Sequence, residues 1–133
     1  MTDEMRQTLI GRALAVRRWA YAPYSHYHVG SALLAASGKI YDGVNVENAA
    51  YGSSICSERT ALVKAISEGE RQFDALAVVT DNGGSPCGSC RQMLAEFGLD
   101  LQVILLDKDG RVVRETTLRE LLPDAFTPEA LLK

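Results

Sequence analysis

No stretch of this sequence is long and apolar enough to cross a bilayer, which takes roughly 20 such residues. Nor is there a basic tract: beyond the Arg17-Arg18 pair the cationic residues are scattered, and the net charge is −3. Polynucleotide binders carry a concentrated cationic surface that releases counterions. A nucleic-acid partner is therefore not expected, while a single nucleoside or a short anionic substrate stays open. The opening Met1-Thr2-Asp3-Glu4 is acidic and lacks the apolar centre of a signal peptide. The expectation is a cytoplasmic protein with no membrane attachment. Internal repeats, low-complexity tracts and linkers are missing too, so the 133 residues are expected to form one domain, 1–133. Cysteine is scarce, and all three lie in two short segments, Cys56-Ser57-Glu58 and Pro86-Cys87-Gly88-Ser89-Cys90. In a reducing compartment such clustering points to metal or catalysis rather than to disulfides.

What is present suits an ordinary globular protein, 47% apolar and 23% charged. Met5, Leu9, Ala13, Val16 and Ala20 recur at helical spacing, which predicts a helix over 3–20 stopped by Pro23. A loop rich in rings follows, Tyr21-Ala22-Pro23-Tyr24-Ser25-His26-Tyr27-His28. Strands are predicted over 29–35 and 40–46, paired as a hairpin through Ser37-Gly38. The polar Asn45-Val46-Glu47-Asn48 closes the second, a place where residues tend to line a site. A helix is predicted over 56–68 with Gly69 as its stop. The nearly all-apolar run 75–80 suits a strand buried on both faces, and Asp81-Asn82-Gly83-Gly84-Ser85-Pro86 is a loop. A helix over 87–97, strands over 101–106 and 111–115 joined at Asp109-Gly110, and a last helix complete the pattern. Thr117 and Glu120 have capping-box spacing for that last helix, and a turn follows at Thr127-Pro128-Glu129. The order predicts a three-layer α/β/α sandwich around one mixed, roughly five-stranded sheet, with both cysteine segments at strand-to-helix junctions, where α/β sheets bind ligands.

Cys87 and Cys90, one helical turn apart at a helix start, present their thiols on one side, and Cys56 comes from another helix start. Three such ligands meet at one tetrahedral zinc ion and leave a vertex vacant, as catalytic rather than structural sites do. His26 or His28 could supply a fourth ligand, although a histidine in a polar loop is more often hydrogen-bonded or solvated. Glu58 lies about 200° around the helix from Cys56, so the two converge only on a target off the helix's N-terminal end. There the carboxylate could move protons for a water at the open vertex; alone, a first-turn glutamate would be read as serving the helix dipole. Three thiolates leave a zinc site at a charge of −1, which helix N-termini and a neighbouring Arg59 or Arg91 offset. For Arg91 a solvated surface position is the expectation.

These residues resemble a known family. Asn45-Val46-Glu47-Asn48-Ala49-Ala50-Tyr51, Cys56-Ser57-Glu58-Arg59 and Pro86-Cys87-Gly88-Ser89-Cys90-Arg91-Gln92 are similar to segments of the small homotetrameric cytidine deaminases. The likeness runs from Tyr21-Ala22-Pro23-Tyr24-Ser25 to Leu121-Leu122-Pro123-Asp124-Ala125-Phe126. It implies a cytidine deaminase-like fold and hydrolytic deamination of cytidine and deoxycytidine to uridine and deoxyuridine. It also implies zinc on Cys56, Cys87 and Cys90, with Glu58 passing the water's proton to ring N3 and then helping the ammonia leave. Asn45 and Glu47 match residues that hydrogen-bond ribose hydroxyls, and Tyr27 matches an aromatic packed on the base, usually Phe. Phe126 matches a ring lent by a neighbouring subunit, and Ala49 and Tyr51 match residues that reach an adjacent site, so the resemblance implies a homotetramer with composite active sites. Ser57 stands where Ala is commoner; if it acts on substrate through its backbone, the change is expected to be silent.

Physics supports part of this independently. A carboxylate at the sugar binds a free hydroxyl and repels a phosphate, so Glu47 favours a nucleoside over a nucleotide, and aromatic walls suit a flat base. Other readings remain open on the residues alone. Cys87-Gly88-Ser89-Cys90 at a helix start is also a redox pattern, and a structural zinc module would show a saturated ion. A blasticidin-type or guanine-type deaminase is disfavoured by Asn45 and Glu47.

Overall fold

In the computed structural model, which describes residues 1–132, the elements in chain order are α1 (Asp3–Val16), β1 (Gly30–Ala35), β2 (Ile40–Val44), α2 (Ser57–Ser67) and β3 (Phe73–Val79). There follow α3 (Gly88–Ala95), β4 (Gln102–Leu106), β5 (Val112–Thr117), α4 (Leu118–Leu121) and α5 (Pro128–Leu132). The strands form one sheet in the order β2-β1-β3-β4-β5. β3 and β4 run parallel, and the neighbouring pairs are antiparallel. The predicted mixed five-stranded sheet is therefore present, with a hairpin on either flank.

Strand alternation sorts the core into two layers. Leu33, Leu76, Val78, Val103 and Leu105 face α2, α3 and α4, burying Ala61, Leu62, Leu94 and Leu118. The intervening Ala32, Leu34, Ala75, Ala77, Val79 and Ile104 face α1 through Leu9, Ile10 and Ala13. Helices thus cover both faces, as the three-layer expectation requires. β3 and β4 are buried on both sides because they lie between these layers, which is why 75–80 and 101–106 carry no polar alternation.

Two glycines set how closely the helices approach. A Cβ at Gly43 on β2 would lie 2.6 Å from Ala61 N and 2.9 Å from Ser57 O, so α2 can press its first turns against the sheet only there. A Cβ at Gly30 would lie 2.5 Å from Ala13 O, on the α1 side.

Boundaries differ from expectation in places with local causes. The helix predicted over 3–20 ends at Val16 and tightens into a 3-10 turn, Arg17–Trp19. There Arg17 is turned inward, donating to His28 O at 2.9 Å and pairing with Asp81. β2 ends at Val44 rather than continuing to 46, and Val46 instead bridges Tyr21 on one side and Ile55 on the other. The turn expected at Thr127-Pro128-Glu129 opens the short helix α5. Thr117 caps α4 as expected, its Oγ1 accepting from Glu120 N at 3.3 Å.

Candidate active site

Cys56 is the N-cap of α2 and Cys87 the N-cap of α3, and neither makes a side-chain capping bond. Their sulfurs therefore sit at the positive ends of two helices without being used as caps. Cys90, in the first turn of α3, is fully buried. The three Sγ atoms lie within 4.8 Å of one another, with Cys56–Cys87 at 3.6 Å and Cys87–Cys90 at 3.3 Å. Thiolates about 2.3 Å from a tetrahedral zinc stand roughly 3.8 Å apart, so the cluster fits that ion with only small adjustment. Among the described residues this is the group placed to hold a metal, and it contains no histidine. His26 is exposed, in a left-handed conformation at φ 59°. The three thiols are free, with no disulfide between Cys87 and Cys90, and a dithiol redox pair has no use for the third.

The charge on the cluster is shared unevenly. A hydrogen bond from Cys90 brings the Cys56 thiol down to about 5, with help from Arg59, while the same bond and burial push Cys90 up. Arg59 Nη2 donates to Cys56 Sγ at 3.7 Å, and its buried Nε has no protein partner. The guanidinium is thus positioned to withdraw charge from the sulfur. Arg91 contradicts the expectation of a solvated surface residue. It donates to Pro86 O at 2.8 Å, Leu121 O at 2.6 Å and Ser85 Oγ at 2.7 Å, so it braces the loop that delivers Cys87 rather than the sulfurs.

Glu58, in the first turn of α2, is 4% exposed. Burial pushes its carboxyl above the usual carboxylate range and the nearby Cys56 adds to this, while the Ser57 hydroxyl works the other way. Ser57 Oγ donates to Glu58 Oε1 at 2.5 Å, and Ser31 Oγ lies 2.5 Å from Ser57 Oγ and 3.4 Å from the same carboxylate oxygen. The side chain of Ser57 therefore engages the carboxylate directly, in addition to whatever its backbone does. Ser31 was not anticipated, although a serine inside the otherwise apolar 29–35 was the available signal.

A cavity of about 460 Å³ opens beside these groups, within the range of small-molecule sites. Cys56, Cys87, Glu58, Ser57 and Arg59 line it together with Tyr27, Asn45, Glu47 and Tyr51. Glu47 accepts from Tyr24 N at 3.0 Å, from Ser25 N at 3.1 Å and from the Ser25 hydroxyl. The Ser25 hydroxyl leads in holding its carboxyl below the usual range, so it faces the cavity as an anion. Asn45 accepts from Val29 N at 3.0 Å and donates to Tyr27 O at 2.8 Å, which ties the ring-bearing loop to the end of β2. The extra hydroxyl of Tyr27 donates to Asn82 Oδ1 at 2.9 Å, joining that wall to the loop before Cys87. Ala49 and Phe126 are exposed and do not line this chain's cavity. Tyr51 does line it, 77% exposed and edge-on to Tyr24.

A mixed sheet with three thiols and a buried carboxylate at two helix starts defines a class, the zinc-dependent hydrolases built on an α/β/α sandwich. Residues 3–106 match the family described as the cytidine and deoxycytidylate deaminase zinc-binding region, and the chain belongs to that family. The cytidine deaminase of Sporosarcina psychrophila is 49% identical over 127 residues, spanning 94% of this chain and 93% of the relative. That of Halalkalibacterium halodurans is 50% identical over 127 residues, spanning 93% and 96%. The crystal structure of the cytidine deaminase from Burkholderia pseudomallei superposes with a TM-score of 0.86 at 47% identity, over 95% of this chain and 100% of that one.

Proposed function

We propose that the protein hydrolyses cytidine and 2′-deoxycytidine to uridine and 2′-deoxyuridine, releasing ammonia, in nucleoside salvage. The observation that carries this reading is a buried carboxylate, Glu58, beside a three-thiol cluster on the wall of one cavity. Cys56, Cys87 and Cys90 would hold zinc, which would supply a Lewis acid to make a water nucleophilic at neutral pH.

The chain's own groups do the rest. Glu58 accepts the water's first proton and passes it to ring N3, then takes the proton of the hydroxyl added at C4 and delivers it to the departing amine, so that the carbonyl forms as ammonia leaves. Burial suits it to this, because a carboxyl of ordinary acidity would give up a proton too readily at neutral pH. Tyr27 flanks the base. Asn45 retains a second amide N–H for a sugar hydroxyl, and Glu47 offers an anionic acceptor. An anion there repels a phosphate, so the substrate is a nucleoside rather than a nucleotide. Arg59, the cation lining the cavity, is already directed at Cys56.

The exposed rings of Tyr51 and Phe126, 77% and 59% exposed, are assigned to contacts between copies. Four chains form a homotetramer in which Phe126, Ala49 and Tyr51 complete neighbouring sites, and the protein works in the cytoplasm. Among the described residues no helix is long and apolar enough to cross a membrane. The test is conversion of cytidine to uridine by the zinc-loaded protein, followed by ultraviolet absorbance, with cytidine monophosphate as the comparison. Turnover of the monophosphate in preference to the nucleoside would contradict the role of Glu47.

A further inference from the structure

The buried hydroxyls of Ser31 and Ser57 are the polar feature of the site that this chemistry leaves unused. Both side chains are fully buried, and a buried hydroxyl without a partner is destabilising. Ser31 lies on β1, paired with Gly43 of β2 and Val78 of β3, so it belongs to the interior of the sheet. Ser57 opens α2. Both lie near Glu58 Oε1, Ser57 Oγ at 2.5 Å and Ser31 Oγ at 3.4 Å.

The direction of the bonds follows from counting hydrogens. A serine has one hydroxyl hydrogen, and that of Ser57 goes to Oε1 at 2.5 Å. The 2.5 Å contact between the two serines is then donated by Ser31. The outcome is a chain running Ser31 to Ser57 to Oε1. The terminal torsion of a glutamate is broad and twofold, so packing of the stem alone does not fix which oxygen faces the cavity. The hydroxyl chain adds a fixed donor to Oε1, beside the backbone and Cys90 hydrogen bonds that the carboxylate also receives.

We propose that Ser31 and Ser57 are positioning residues for Glu58, a donor chain anchored in the sheet that fixes its carboxylate in one rotation and presents Oε2 to the substrate. This rests on the proposed deaminase reading. Ser57 acts on the carboxylate directly, and Ser31 acts through Ser57.

The test uses the zinc-loaded protein with Ser57→Ala, Ser31→Ala and both. Loss of a hydrogen bond to a charged group predicts a kcat about tenfold lower in Ser57→Ala, with KM and zinc content unchanged. Ser31→Ala lowers kcat less, and the double variant is no worse than Ser57→Ala, the non-additivity expected of a chain. Infrared difference spectra, each protein minus its Glu58→Gln counterpart, isolate the carboxylate band in the resting protein, and this band shifts in Ser57→Ala. An unmoved band, an unchanged kcat, or a loss of kcat that tracks lost zinc or a raised KM overturns the proposal. If the unmodified protein leaves cytidine intact, the deaminase reading fails instead, and the infrared band still reports on the serine chain.

Discussion

Glu58 and Glu47 are two carboxylates on one cavity with opposite settings. Glu58 is buried and its carboxyl pushed up, whereas Glu47 receives three hydrogen bonds from Tyr24 and Ser25 and is held down. The first is suited to trading a proton and the second to staying charged. Replacing Glu47 with alanine removes a sugar contact that substrate and transition state share. Steady-state kinetics should show KM for cytidine rising about 10-fold or more with kcat nearly unchanged. At this scale the sequence was informative where a residue type is rare. Three cysteines in a whole chain, with a glutamate two positions after one of them, leave few arrangements. Ser25, Ser31 and Arg91 were not legible, because serine and arginine are common and their partners, Glu47, Ser57 and Leu121 O, are brought to them only by the fold.

The elements place the site by joining helix starts to a sheet. Gly43 admits the first turns of α2 to β2, and Asp42 beside it anchors two helices at once. Its carboxylate pairs with Arg12 of α1 at 3.0 Å and Lys64 of α2 at 3.0 Å. Burial works to raise the Asp42 carboxyl, but the bonds from Lys64 and then Arg12 prevail and lower it. A lowered folded value contributes stability that is full above the unfolded value of about 3.9 and is lost as pH falls through the folded one. Denaturant titrations should therefore find Asp42→Asn about 1 kcal/mol less stable than the unmodified protein at pH 7. The gap should close as the solution is acidified below the ordinary carboxylate range. Element types were readable from hydrophobic period and from glycines such as Gly38 and Gly69, both at positive φ. The ends were less so. The helical period of 3–20 continues past Val16, but Arg17 is drawn to His28 O and Asp81, partners that no local pattern announces.

For the whole molecule, two of the exposed rings are Tyr51, which lines the cavity and stands edge-on to Tyr24, and Phe126, which is outside the cavity lining. Light scattering on the purified protein should give four times the protomer mass, and a monomer with full activity would remove the composite-site proposal. A mixed sheet with a hairpin on either side was legible from the order of elements, whereas the strand order β2-β1-β3-β4-β5 came from the fold. The division of labour between faces, with α1 alone on one and α2, α3 and α4 on the other, depended on packing. The central claim is that a three-thiol zinc site and a buried proton carrier act together on one nucleoside. Its most direct test is the Glu58→Gln variant, assayed for zinc by metal analysis and for conversion of cytidine to uridine by ultraviolet absorbance. The account predicts about one zinc per chain, as in the unmodified protein, and a kcat lowered by roughly 10²–10⁴-fold. Undiminished turnover in that variant would contradict it.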